Sequence, residues 1–209
     1  MTMTTLSLHY APGTCALAVR IALEEAGAPY ELVRVDFASA QQRSPAYLAL
    51  NPKGRVPVLV TDHGVLTETP ALLAYVAHSF PGARLAPDDA HGFARMQELH
   101  SYLASTVHVA HAHRPRASRW ADEPDAIAAI QRKVPQNMTE CFDFIEHHYF
   151  AGTDVDPWVM GAQYTVADGY LFTIGTWLEG DGVDIARFPK VFAHAQRMRE
   201  RPAVQRALA

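Results

Sequence analysis

The stretch LSLHYAPGTCALAVRIALEEAGAPYELVRV, residues 6–35, passes from one hydrophobic period to another and back. Leu6 to Tyr10 alternates apolar and small polar residues, the period-two signature of a half-buried strand. Pro12-Gly13 breaks it, and Thr14 is placed to cap the next helix by accepting a backbone N–H. The pattern then turns helical: Leu17 and Ile21 stand one turn apart, as do Val19 and Leu23, and Gly27 supplies a C-terminal stop. Tyr30 to Val35 reads as strand again. A strand, a helix and a strand in that order predict a parallel pair bridged by a helix.

Working outward, NPKG (51–54) forms a turn ahead of RVPVLVTD (55–62), which is rich in β-branched residues. HGVLTE (63–68) is its hairpin partner, and a helix begins at Pro70, a residue tolerated in a first turn. The order β-α-β-α-β-β-α predicts a helix-covered α/β sheet with β1 and β2 parallel and an antiparallel hairpin at its end. FPGARLAPDD (80–89) has linker composition, and beyond it the strand signal disappears. Helical segments are expected at about 91–117, 124–150, 165–179 and 188–208, with Pro115 and Pro135 kinking or ending the first two. Thr165 and Asp168 form an acidic capping box at the start of the third. The division is a small α/β domain over 1–82, a linker over 83–90 and an all-α domain over 91–209.

The 209 residues are 49% hydrophobic and 19% charged, with a net charge of −4. That mild acidity argues against nucleic-acid or membrane-surface binding. The N-terminus lacks a secretory pattern, and no apolar run approaches the roughly 18 residues of a membrane helix. Two widely separated cysteines make no disulfide scaffold, so a cytoplasmic protein with reduced thiols is expected.

Five places could carry chemistry. Cys15 lies at the start of its helix, where free N–H groups and the helix dipole favour a thiolate. Position alone leaves it open between a functional thiol and a small buried hydrophobe, although Ala18 rules out a C-x-x-C redox pair. Pro57 interrupts a β-run, so it belongs at an edge, a bulge or a cis turn, and it leaves the Val56 N–H and C=O free for an extended ligand. Glu68 and Thr69 sit at a strand-to-helix junction, where N–H groups hold a carboxylate and Glu68 suits an ammonium; capping serves equally well as their role. His108, His111 and His113, with His100 upstream, form a histidine cluster. His108 and His111 share a helix face, but no clustered carboxylate or cysteine completes a metal site, and none is expected. Tyr10, at the end of the first strand, is either core or a hydroxyl donor to a ligand.

In this order, YAPGTCALAVRIALEEAG, NPKGRVPVLV, LTETPALLAYVA, TVAD and RMRERPAV resemble the cytosolic glutathione S-transferases, in particular the bacterial beta class, over nearly the whole chain. The resemblance implies a thioredoxin-like N-terminal domain, an all-α C-terminal domain and a homodimer. It also implies glutathione as co-substrate and a small hydrophobic electrophile as its partner. By that resemblance Cys15 contacts the glutathione sulfur, and His108 faces it from the helical domain. Tyr10 ranks below both as an activator. Val56 pairs with the cysteinyl unit, Pro57 is the cis-proline of the fold, Glu68 holds the γ-glutamyl ammonium, and Thr69 and Lys53 add contacts. Ser101 stands where the class often has asparagine, and Gly169 where it often has a larger residue. Tyr102, His108, His111, Arg114 and Trp177 are expected around the electrophile. The rival activities are glutathione-dependent thiol exchange or peroxide reduction through Cys15, and non-catalytic binding.

Overall fold

Residues 6–150 and 157–209 are described by a computed structural model of the chain. β1 (Leu6–Tyr10), α1 (Ala16–Ala26), β2 (Tyr30–Arg34), α2 (Pro45–Leu50), β3 (Val58–Thr61), β4 (Gly64–Thr67) and α3 (Thr69–Ser79) keep the order read from the sequence. The sheet runs β2-β1-β3-β4, with β1 parallel to β2 and antiparallel to β3, and β3 antiparallel to β4. Leu8 lies opposite Leu32 on one side and Leu59 on the other. Leu6, Leu8 and Leu59 are buried in the main core with Val19 and Leu23 of α1 and Leu72, Leu73 and Val76 of α3. A second cluster joins Val35, Tyr47 of α2 and Val58. The Tyr47 hydroxyl donates to the Arg55 carbonyl at 2.8 Å, which fixes the loop entering β3.

The second half is helical: α4 (Ala90–Tyr102), α5 (His108–Ala112), α6 (Pro124–His148), α7 (Val166–Gly175), α8 (Pro189–Glu200) and α9 (Pro202–Leu208). The single helix expected over 91–117 instead changes pitch in a π-helical turn over Leu103–Val107 and ends at Ala112, ahead of Pro115. Pro135 does not end its helix: α6 continues through it, held by the buried stripe Val134, Met138, Phe142 and Ile145. Burial of that face outweighs the one ladder bond the proline removes. The helix expected over 188–208 divides at Arg201, which Pro202 holds extended.

The capping box is present. The Asp168 carboxylate, fully buried, accepts the Thr165 and Val159 N–H groups, each at 2.8 Å, and Nε2–H of His194 at 3.0 Å. Gly169 next to it allows close packing, since a Cβ there would stand 3.2 Å from Ile21 and 3.3 Å from the Tyr164 hydroxyl. α7 thus seats close on α1 at this position. α1 packs against α3 and against α7 and α9, so one apolar cluster joins Leu8, Val19 and Ile21 to Phe142, Tyr170 and Ile174. Arg201 grips Glu25 with two nitrogens, at 2.5 and 2.8 Å, and Arg206 pairs with Glu24 at 2.6 Å, strapping α9 onto α1. No described helix is long and apolar enough to cross a membrane.

Candidate functional site

The turn from β1 into α1 sets the floor of a cleft of about 310 Å³ lined from both halves. Gly13 turns the chain with φ +71°, a conformation that favours glycine. The Thr14 hydroxyl donates to the Ala11 carbonyl at 2.7 Å and stands 3.4 Å from the Ala16 N, so it braces the turn more than it caps the helix. Cys15 occupies the N-cap of α1 with its side chain buried, and its Sγ lies 4.0 Å from the Val56 carbonyl. The Val56–Pro57 bond is cis. Val56 precedes β3, and its N–H bonds to no other described residue.

Glu68 and Thr69 close the next edge. Glu68 has φ +73°, a conformation that costs a non-glycine residue about 1–3 kcal/mol and that concentrates at functional positions. Its carboxylate takes the Lys53 Nζ, which also donates to the Thr67 hydroxyl at 2.6 Å. Thr69, buried at the start of α3, lines the cleft with Cys15. From the helical half come His108 and His111 on α5, Arg116 and Arg119 in the turns after it, Tyr170 on α7 and Trp177 beyond it.

The electrostatics differ from the expectation at Cys15. Burial pushes its thiol pKa up, and the Thr69 hydroxyl and the Arg116 charge only partly offset this. The helix end is there, but the desolvation that outweighs it is set by packing. Burial, assisted by the charge of Arg116, holds His108 down to about 4, so its imidazole is neutral at pH 7.

His111 is fixed from behind. Its Nδ1 lies 2.7 Å from Oδ2 of the fully buried Asp181, whose Oδ1 accepts from Arg114 Nε at 2.6 Å. The His111 ring stacks on Trp177, centroids 4.3 Å apart, and the Trp177 indole N–H donates to the Gly13 carbonyl at 3.1 Å. A carboxylate in the helical half thereby reaches, through two rings, the turn that carries Cys15.

Six of the nine site residues expected from the sequence line this cleft: Cys15, Val56, Pro57, Glu68, Thr69 and His108. Lys53 lies just outside and acts on Glu68. Tyr10 packs against the main core and Ser101 is exposed on α4; neither lines the cleft. Of the residues expected around the electrophile, His108, His111 and Trp177 line the cleft, whereas Tyr102 packs on Phe144 with centroids 5.0 Å apart and Arg114 turns to Asp181. The residues that sequence reasoning misses are Tyr170 and four arginines, Arg43, Arg55, Arg116 and Arg119. For Arg116 and Arg119 the visible signal is the basic run RPRASR (114–119) directly after the histidines. Among the described residues no group of three or more His, Cys, Asp or Glu side chains converges as a metal site. His113 packs instead against the Trp120 ring, 4.2 Å between centroids.

Residues 4–78 match the family model of the glutathione S-transferase N-terminal domain, and residues 113–209 that of the glutathione S-transferase C-terminal domain. The chain is 33% identical over 206 residues to glutathione S-transferase GstA of Escherichia coli O157:H7, covering 97% of each. It is similar to the crystal structure of a glutathione transferase homologue from Sulfitobacter with bound glutathione, at 47% identity and a TM-score of 0.93, covering 99% of this chain and 98% of that one. A bacterial beta-class glutathione S-transferase of Sphingomonas chungbukensis superposes with a TM-score of 0.81 at 30% identity, covering 97% and 96%.

Proposed function

The chain belongs to the glutathione S-transferase family, and from that premise we propose that it joins the thiolate of glutathione to small hydrophobic electrophiles in the cleft above Cys15. The observation that carries this reading is the convergence in one cleft of the free Val56 N–H, the Glu68–Thr69 start of α3, and the Cys15 and His108 side chains. These groups fit the tripeptide part by part. The Val56 N–H and C=O suit the cysteinyl backbone, as a short strand addition. Glu68, oriented by Lys53, suits the γ-glutamyl ammonium, and the free N–H groups at the start of α3 suit the neighbouring carboxylate. Cys15 and His108 are left to act on the sulfur.

Their protonation assigns their roles. A neutral His108 can accept a hydrogen bond from the glutathione thiol and orient it, but with its pKa held at about 4 it is too weak a base to keep the thiol proton, which leaves to solvent. Cys15, its pKa raised by burial, stays S–H at neutral pH and can donate a hydrogen bond to the resulting thiolate. It supports the nucleophile and does not compete with it, which disfavours thiol exchange through Cys15. Glutathione binding measured by calorimetry, with turnover of 1-chloro-2,4-dinitrobenzene as the second measurement, tests the reading. Saturable binding with turnover supports it, and binding without turnover refutes it. In Cys15→Ser conjugation should persist at a reduced rate; complete loss of conjugation with retained binding would instead favour covalent participation by Cys15.

The same reading has the chain working as a cytoplasmic homodimer, supported by family membership and by exposed apolar side chains such as Val65 and Phe144. Light scattering at micromolar concentration checks the dimer, and a monomeric mass refutes it.

A further inference from the structure

Four arginines converge on the cleft, Arg43 and Arg55 from the sheet half and Arg116 and Arg119 from the turns after α5. None forms an ion pair with a described carboxylate. Glu68, the one described carboxylate lining the cleft, is already engaged by Lys53. The guanidinium groups press on one another: Arg119 is held below its ordinary pKa by burial and then by the charges of Arg116, Arg55 and Arg43. Uncompensated like charge in a cleft focuses the field on an incoming anion.

Glutathione answers only part of this charge. Its ammonium has Glu68, and one carboxylate has the start of α3. Its other carboxylate falls to the sheet half, where Arg43 and Arg55 stand. The ionised sulfur has Arg116, whose charge acts on both Cys15 and His108. Arg119 is left over. Its chain neighbour Trp120, 46% exposed, and Phe37, 38% exposed, line the same cleft with flat apolar surfaces. A guanidinium next to aromatic faces suits a planar group that ends in a carboxylate.

We infer that the electrophile taken by this cleft is itself an anion, an aryl or unsaturated carboxylate whose charge is met by Arg119 and whose body lies against Trp120 and Phe37. This rests on the conjugation reading and narrows its substrate class. The probes are 4-chloro-3-nitrobenzoate and its methyl ester, which share ring and leaving group and differ by one charge. In each, the glutathione thiolate forms a carbon–sulfur bond and chloride departs with the bonding electron pair. The readout is kcat/KM for each probe divided by its uncatalysed rate constant with glutathione at the same pH.

The carboxylate-to-ester ratio is expected to exceed about 10 in the wild type and to fall about tenfold in Arg119→Gln, and added salt should lower it. Because both probes meet the same protein sample, any loss of active protein in the variant cancels in the ratio. A wild-type ratio at or below about 1 overturns the inference while leaving conjugation of the ester, and so the conjugation reading, standing. An unchanged ratio in Arg119→Gln with a raised KM for glutathione assigns Arg119 to the tripeptide and also overturns it. Turnover of neither probe overturns the inference, and the reading it rests on falls with it only where 1-chloro-2,4-dinitrobenzene is not conjugated either.

Discussion

Replacing His100 with leucine should flatten the acid side of this protein's stability profile. His100 lies on the buried face of α4 with no exposed surface, and neither ring nitrogen has a hydrogen-bond partner. Tyr170, which lines the cleft, meets its ring edge-on with centroids 5.8 Å apart. Burial holds the imidazole pKa at about 4, against an ordinary value of 6.5. The unfolded chain therefore takes up a proton near pH 6.5, which the folded chain refuses until near pH 4. The contribution to stability is complete above about pH 6.5 and is lost as the pH falls toward 4. Between pH 7 and pH 5 the two pKa values give a loss of about 2 kcal/mol. For a chain of this length that lowers the melting temperature by about 4–8 °C. Leucine removes the titration and the two unpartnered nitrogens together, so the variant should be at least as stable at pH 7. Circular-dichroism melts of both proteins at pH 7, 6 and 5 supply the measurement, with the difference between the two slopes as the readout. His108 and the other titrating groups are common to both proteins and cancel. Parallel profiles would refute the reasoning, because they would mean that the folded protein admits a proton at His100 as readily as the unfolded chain.

Asp181→Asn keeps the shape of the buried carboxylate and removes its charge. Arg114 is 44% exposed and retains much of its hydration, so the expected loss is about 2 kcal/mol, read as a fall of about 4–8 °C in melting temperature; an unchanged melt would contradict the anchoring role. Glu68→Gly relieves the positive φ but adds backbone freedom to the unfolded chain, so stability should change by less than about 1 kcal/mol while KM for glutathione rises at least tenfold. A large drop in chemical-denaturation stability, or an unchanged KM, would count against that account. Alkylation of Cys15 by iodoacetamide should accelerate only above the pH at which a free cysteine of pKa about 8.5 responds; faster alkylation at pH 7 than free cysteine shows would mean that the helix end outweighs burial after all.

The sheet half is legible in the sequence because both periods and their punctuation are local. Leu6–Tyr10, Pro12-Gly13, the α1 repeat and Gly27 lie in one short run, and each is decided by neighbours in sequence. The helical half is legible in kind but not in its ends. Whether Pro135 breaks α6 depends on how much the face carrying Met138 and Phe142 buries, which is a property of the folded chain. The π-helical turn at Leu103–Val107 has no local signal of its own. In the site, the residues carried by ordered motifs, from Cys15 to Glu68 and on to His108, can be named from the sequence. The Cys15 pKa, the left-handed backbone of Glu68 and the Asp181–His111 pairing across 70 positions cannot, because each is produced by packing between distant segments. Arg119 belongs with them: it ends the basic run RPRASR, which carries no meaning until the turns after α5 are placed.

The unbroken core between α1 and α7 bears on how such a chain can be inherited. α1 carries the reacting end of the site on its first turn and packs against the helical half along its length, with Gly169 admitting Ile21 at near-contact distance. Cutting and rejoining relatives at the Pro-rich segment before α4 would therefore exchange the partner of α1 as well as the substrate wall. A hybrid whose incoming α7 bore a bulkier side chain at position 169 would shift α1, and with it the turn that holds Cys15. Variation in what this chain accepts is consequently easier to accumulate at the rim, around Phe37, Arg119 and Trp120, than by shuffling whole halves.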